Sequence, residues 1–208
     1  RLLSNFKNIS HGFFNSEGGY SNGIYKSLNC GIGSKDKRIN VQRNLNIVRK
    51  KISKFSKKIF LLNQIHSNKL IFLKKLSKNF KKKFKGDAVL TNQRKLPIGI
   101  LTADCVPVLI YDDKLNVIGA IHAGWKGAYK DIITKVIKFM VKRGSTRNNI
   151  NAAIGPCISK KNYNVKKDFY KKFIKKNKSN KIFFQKRNNT IYFDLPNYVK
   201  FQLKLNKI

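Results

Sequence analysis

The stretch Leu101–Gly127, LTADCVPVLIYDDKLNVIGAIHAGWKG, holds two apolar runs whose polar interruptions fall at matching places. The first run carries an acid and a thiol side by side, Asp104-Cys105. The second, VIGAIHA, ends on His122 and is followed by a glycine-tryptophan turn. Apolar runs of this length bounded by turn residues read as buried strands. Matching interruptions indicate two neighbouring strands that deliver polar groups to one point.

Working outward, KKIFLLNQIHSNKLIFL (57–73) reads as a strand to His66, a tight Ser67-Asn68 turn and a second strand. Further strands are expected at 86–91, 98–112, 116–123 and 149–156. The glycine-punctuated opening, 11–33, reads as strand–loop–strand. Asn40 is expected to cap a helix over 41–52, where Val41, Leu45, Val48 and Ile52 recur at helical spacing. A second, amphipathic helix spans 127–144, with Met140 on its packed face and Gly144 ending it. The last two cover 165–176 and the Asp194-capped 195–205. Lys-rich stretches at 74–85 and 166–178 carry spaced Leu, Phe and Ile and read as solvated faces or loops. Strands outnumber helices, and no βαβ alternation appears. The fold class is therefore α+β (mixed α/β), with packed mixed β-sheets flanked by helices in a single domain, 1–208.

The chain has 208 residues, 41% hydrophobic and 12% aromatic, enough for one sizeable core. No apolar run reaches the roughly 18 residues of a membrane span. The N-terminus lacks a signal-peptide layout, so the cytoplasm is the expected location. Cys30, Cys105 and Cys157 are widely spaced with no CxxC pair, which argues against a disulfide framework. The net charge is +37, yet it comes from 38 Lys against 8 Arg, beside 24 Asn and 24 Ile. A/T-rich codons specify that combination, whereas base and phosphate readers lean on arginine. The charge is read as genome composition, with no specific nucleic-acid partner. A positive surface still draws anionic small molecules.

Two of the three histidines, His66 and His122, sit at strand ends beside turns, and Cys105 lies within a strand. Two imidazoles and a thiolate suit zinc, and three protein ligands leave a fourth position for water or substrate. Spacings of 39 and 17 residues fit no zinc finger, so such a site would be assembled from distant strands. Each residue alone also reads as ordinary structure, a small buried hydrophobe or a hydrogen-bonded histidine; spacing leaves both readings open. The AGWKG turn sets Gly124 and Lys126 before a helix, an anion pocket or an ordinary turn with an exposed lysine. Asp87 and Asp104 stand out among only eight Asp and one Glu. Asp104, read inside an apolar strand, needs a partner. It would orient a metal-bound histidine, act as an acid or base, or cap backbone.

Six blocks in order, HGFFNSEGGYSNGIYKSLN, NQIHS, GDAVLT, LTADCVPVLI, GAIHAGWKG and IGPCI, resemble the laccase-domain family. That family is also called the peptidoglycan editing factor or purine nucleoside phosphorylase family, and by an older name polyphenol oxidase. The resemblance runs from about His11 to Cys157 and more loosely to the end. It implies zinc, with copper as the other occupant, at His66, Cys105 and His122. It implies purine nucleosides and phosphate as substrates: phosphorolysis of adenosine, inosine and methylthioadenosine, and deamination of adenosine. Cys105, His122 and Asp104 are then the catalytic candidates, and Lys126, Gly124, Gln64 and Asn29 the substrate-binding ones. Two departures stand out. The family's C-terminal cysteine-bearing strand and Ser-x-Arg-Arg segment are not found, and Asn44-Leu45 stands where the family often has Asn-Arg.

Three other readings compete. A copper polyphenol oxidase needs many imidazoles and typically an axial Met, and the sole Met is assigned to a packed helix. A metal-free Cys105–His122 hydrolase would act on cell-wall precursors. A basic nucleic-acid module rests on charge alone and predicts steep salt dependence. No membrane partner is expected, and the oligomeric state is not legible.

Overall fold

A computed structural model describes residues 3–74 and 84–208; most of the Lys-rich stretch 74–85 lies outside them. The α-helices are α1 Arg38–Ile52, α2 Trp125–Tyr129, α3 Ile132–Lys142, α4 Lys167–Lys176 and α5 Leu195–Leu205. The strands are β1 Phe60–Leu61, β2 Leu70–Leu73, β3 Ala88–Thr91, β4 Ile98–Gly99 and β5 Val106–Asp112. They continue as β6 Val117–Ala123, β7 Ile150–Ile154, β8 Asn164–Val165, β9 Phe184–Arg187 and β10 Thr190–Phe193. The architecture is α+β, with mixed sheets flanked by helices. No helix among the described residues is long and apolar enough to cross a membrane.

The two runs that open the sequence reading form the β5–β6 hairpin at the heart of a five-stranded sheet, ordered β2-β3-β6-β5-β7. Within this sheet only β2 and β3 pair in parallel, as β1 and β4 do in a separate two-stranded sheet. The hairpin turns because Asp112 Oδ1 accepts the Lys114 and Leu115 N–H groups, both at 2.9 Å, and Asn116 takes a positive φ. Alternate residues face opposite sides. Val106, Val108, Ile110 and Ile121 join the cluster built on Ile133, Val136, Ile137 and Met140 of α3 and on Val199 and Leu203 of α5. Ala120 and Val89 belong to a smaller cluster with Phe60, Leu62 and Leu73.

Several expectations need correction. The strand read over 98–112 is two strands, β4 and β5, with a loop between them, because the chain leaves the apolar run at Leu101 (below). The strand read up to His66 ends at Leu61; Asn63 makes an isolated bridge to Lys85, and the rest is loop. The helix read over 127–144 is broken at Asp131, which sits at φ +59. Aspartate tolerates that conformation, and tertiary contacts fix it: Asp131 takes Lys176 Nζ at 2.6 Å and Gln202 Nε2 at 3.1 Å. Helix α1 begins at Arg38, so Asn40 lies inside its first turn and caps nothing. The opening stretch holds no strand. Its loops bond one another, with the Ser27 and Leu28 N–H groups on the Ser16 carbonyl, and are gathered on Asn44, fully buried in α1, which bonds Ser21 Oγ, the Ser27 and Asn29 carbonyls and the Tyr20 N–H.

A second sheet, β8-β10-β9, lies beyond the sequence reading. Its β9–β10 hairpin closes through Asn188 and Asn189, both at positive φ, as a two-residue hairpin loop requires. Phe169, Phe173, Phe184 and Phe193 pack ring on ring between this sheet, α4 and α5. Helix α4 keeps its lysines outward, the solvated face expected over 166–178, and Asp194 caps α5 by accepting the Asn197 N–H.

Candidate metal centre

His122 stands near the end of β6, opposite Pro107 of β5. Asp87, just ahead of β3, has no exposed surface, and its Oδ1 takes the His122 Nδ1 at 2.9 Å. Asp87 accepts in all its other side-chain bonds, so Nδ1–H donates and Nε2 is left for Cys105 or a metal. The same carboxylate shapes the neighbouring loop. Oδ1 accepts the His66 N–H at 3.0 Å, while Oδ2 accepts the Ser67 N–H at 2.6 Å and the Ser67 hydroxyl at 2.7 Å. These bonds hold His66 at φ +52, a region non-glycine residues rarely adopt.

Charge follows from this arrangement. Burial works against the Asp87 carboxylate, but the bonds from His122 and Ser67 outweigh it and hold the group below its usual range. Burial likewise opposes a cation at His122, yet hydrogen bonds to Asp87 and Cys105 push it up to about 9. His66 is shifted down by burial and by the charge of His122, against the pull of Asp87.

Cys105 sits one residue before β5, on the loop that follows β4. Gln64 fixes that loop: its Oε1 accepts the Leu101 N–H at 2.7 Å and its Nε2 donates to the Leu101 carbonyl at 2.8 Å. The three candidate ligand atoms of His66, Cys105 and His122 then lie within 4.8 Å of one another. Tetrahedral zinc spaces nitrogen and sulfur donors by roughly 3.5 Å, so a small closure completes the set. A Cβ at Gly124 would lie 2.8 Å from Cys105 Sγ and 3.1 Å from His66 Nδ1. Glycine is therefore what lets the turn after β6 approach all three. The donor chemistry and this cradle fit a metal.

The other candidates are placed as follows. Asp104 is exposed in the loop, not buried in a strand, because the apolar run is broken there; its carbonyl accepts the Ile158 N–H. Lys126 is exposed, with Nζ 5.7 Å from the Trp125 ring centroid, and its charge reaches His66. The Asn29 amide is engaged by Ser34, Asp36 and the Gly31 N–H. Gln64 and Asn29 both border the groove that leads to the metal set, a cavity of about 1720 Å³. Phe13, Cys157 and Asp104 also line it. The Phe13 ring lies directly on Gly155, where any side chain would collide with it. The sequence alone assigns no role to Asn44 or Phe13.

Residues 10–208 match the family model described as multi-copper polyphenol oxidoreductase laccase. The chain belongs to that family. Among relatives of this laccase-family chain, the Rickettsia prowazekii protein named purine nucleoside phosphorylase RP494 is 36% identical over 151 residues, 72% of this chain and 60% of that one. A Bacteroides thetaiotaomicron protein named purine nucleoside phosphorylase is 34% identical over 180 residues, 83% of this chain and 67% of that one. The crystal structure of NMB0706 from Neisseria meningitidis superposes with a TM-score of 0.80 at 27% identity. It covers 93% of this chain and 76% of that one. The chain thus spans about 60–67% of the length of these curated relatives.

Proposed function

We propose that this chain is a zinc-dependent purine nucleoside phosphorylase, cleaving adenosine, inosine or methylthioadenosine with phosphate, and deaminating adenosine as a second activity. One observation carries the reading: His66, Cys105 and His122 converge on the wall of an open groove. The names of the relatives supply the substrate class. Zinc, when bound, supplies Lewis acidity; copper, which binds such ligands more tightly, fits the same donors.

The protein's own groups do the rest. Asp87 orients His122 and, through Ser67 and His66, the loop opposite it. The groove exceeds the roughly 300–1,000 Å³ of common small-molecule sites, leaving room for a nucleoside together with phosphate. Lys126 beside His66, on a chain of net charge +37, concentrates anions at the site. In phosphorolysis a phosphate oxygen attacks the ribose carbon, the C–N bond breaks, and the base leaves with a proton. Asp104 borders the groove and is our candidate for proton exchange. Three free cysteines suit a reducing cytoplasm.

A second reading has its own observation. Cys105, His122 and Asp87 stand in the order of nucleophile, base and orienter, with His122 bonded to Asp87 and the Cys105 sulfur within 4.8 Å of the imidazole nitrogen, which suits a metal-free hydrolase. Metal analysis separates the two. The phosphorylase test is purified protein, and the full natural product of its gene, given adenosine or inosine with phosphate. Free base and ribose 1-phosphate should form and be lost on chelation. Zinc-loaded protein that releases no base from any purine nucleoside sinks the phosphorylase reading.

A further inference from the structure

Cys157 stands outside the metal set, yet the sheet delivers it to the same place. Strands β5 and β7 pair antiparallel, with Val108 opposite Ile154. Backbone contact continues past both strand ends: Gly155 N–H bonds the Pro107 carbonyl at 2.9 Å, and Ile158 N–H bonds the Asp104 carbonyl at 3.0 Å. These two bonds hold the two segments side by side around Cys105 and Cys157. A disulfide needs Cα atoms within about 7 Å, and backbone segments bonded in this way run about 5 Å apart, so the two thiols lie within reach of each other. On its other side Cys105 faces Gly124 in the β5–β6 register, where the missing Cβ leaves Sγ room to turn. Both thiols are free, half-buried and on the wall of one groove.

We propose that Cys105 and Cys157 form a peroxide-reactive dithiol that closes to a disulfide and takes Cys105 out of the metal set. The Cys105 sulfur attacks one oxygen of a hydroperoxide. The O–O bond breaks, the other oxygen leaves as water or an alcohol carrying the thiol proton, and Cys105 becomes a sulfenic acid. Cys157 then attacks that sulfur. The S–S bond forms and the hydroxyl leaves as water with the Cys157 proton. Two thiols lose two electrons and the peroxide gains them. The loss of metal rests on the metal reading above; the cross-link does not.

The test treats zinc-loaded protein with hydrogen peroxide, blocks remaining thiols, and maps the peptides. The expected result is a Cys105–Cys157 linked peptide, an intact mass lower by two hydrogens, and zinc passing to a colour-forming chelator. Dithiothreitol and fresh zinc should restore the starting state. Cys157→Ser should hold zinc as the unaltered protein does, then give no cross-link and an over-oxidised Cys105 that reductant does not recover. Cys30→Ser should behave like the unaltered protein. A cross-link through Cys30, or full recovery of oxidised Cys157→Ser by reductant, overturns the proposal. If the protein binds no zinc, the peptide map still decides the dithiol, and only the metal reading falls.

Discussion

Asparagine at position 87 keeps the shape of a fully buried aspartate and removes half of its accepting capacity. Whichever way the amide is turned, its NH2 meets a donor. Placed at Oδ1 it opposes the His66 N–H, although His122 Nδ1 can accept by changing tautomer; placed at Oδ2 it opposes the Ser67 N–H, although the Ser67 hydroxyl can reverse its role. At least one buried N–H is orphaned, at about 1–3 kcal/mol. The remaining bonds also lose their charge assistance, so a total near 3 kcal/mol is expected. For a chain of this size that lowers Tm by about 6–12 °C. Loss of the group that orients a liganding histidine costs about 10–100-fold in metal affinity. Urea unfolding followed by the single tryptophan reads the first quantity, and zinc competition against a chelator reads the second. An unchanged midpoint with unchanged zinc affinity refutes the reasoning. A lowered midpoint with unchanged zinc affinity refutes the orienting role alone.

Three further outcomes are expected. Gly124→Ala puts a methyl 2.8 Å from Cys105 Sγ and 3.1 Å from His66 Nδ1, so zinc content should collapse while the Tm falls by only a few degrees; full zinc in that variant would contradict the cradle. Burial raises the Cys30 thiol from 9.0 to about 11, so it contributes stability below pH 9 that is lost as pH rises through about 11. Cys30→Ser should therefore flatten the alkaline limb of a stability–pH curve, and an identical limb in both proteins counts against it. If the +37 charge is compositional, duplex DNA should bind weakly, without sequence preference and with affinity falling steeply in salt; tight selective binding at physiological salt overturns that.

What the sequence disclosed depended on whether a side chain's placement is local. The β5–β6 hairpin was legible because seven-residue apolar strands flank an Asp-rich turn whose bonds are made within it. Asp104 was misread because ILTADCVPVLI looks continuous, and the break is enforced from outside, by Gln64 bonding Leu101 across 37 positions. The opening stretch failed for the same reason, since its partners hang on Asn44, 15 to 24 residues away. The β9–β10 hairpin was a different case: Asn188-Asn189 between FFQKR and TIYF is a turn signal that could have been used. The ligand triad itself was named through family resemblance. Spacing left it undecided, because the contacts that assemble it run through Asp87, whose role as anchor of the His66 loop no periodicity reveals.

One ligand stands on the sheet and two stand on loops, and this sets how the centre can open. His122 belongs to β6, which is paired on both sides by β3 and β5, and its N–H bonds the Asp87 carbonyl at 2.7 Å. Only disruption of the central sheet frees that amide. The Ser67 N–H in the His66 loop hangs on the Asp87 side chain and the Leu101 N–H in the Cys105 loop on the Gln64 side chain, while the Asp104 carbonyl is tied to Ile158. Backbone held by a single side chain opens at lower free energy than backbone in a central ladder. In native-state hydrogen exchange the His122 amide should therefore follow global unfolding, with full dependence on denaturant. The Leu101 amide should exchange earlier through local opening that denaturant barely affects, and Gln64→Ala should speed Leu101 while leaving His122 unchanged. Local opening at Leu101 would let Cys105 swing towards Cys157 without unfolding the sheet, which is the movement the disulfide requires. Leu101 and His122 exchanging together, with one denaturant slope, would show the loop and sheet to be a single cooperative unit and would remove that route.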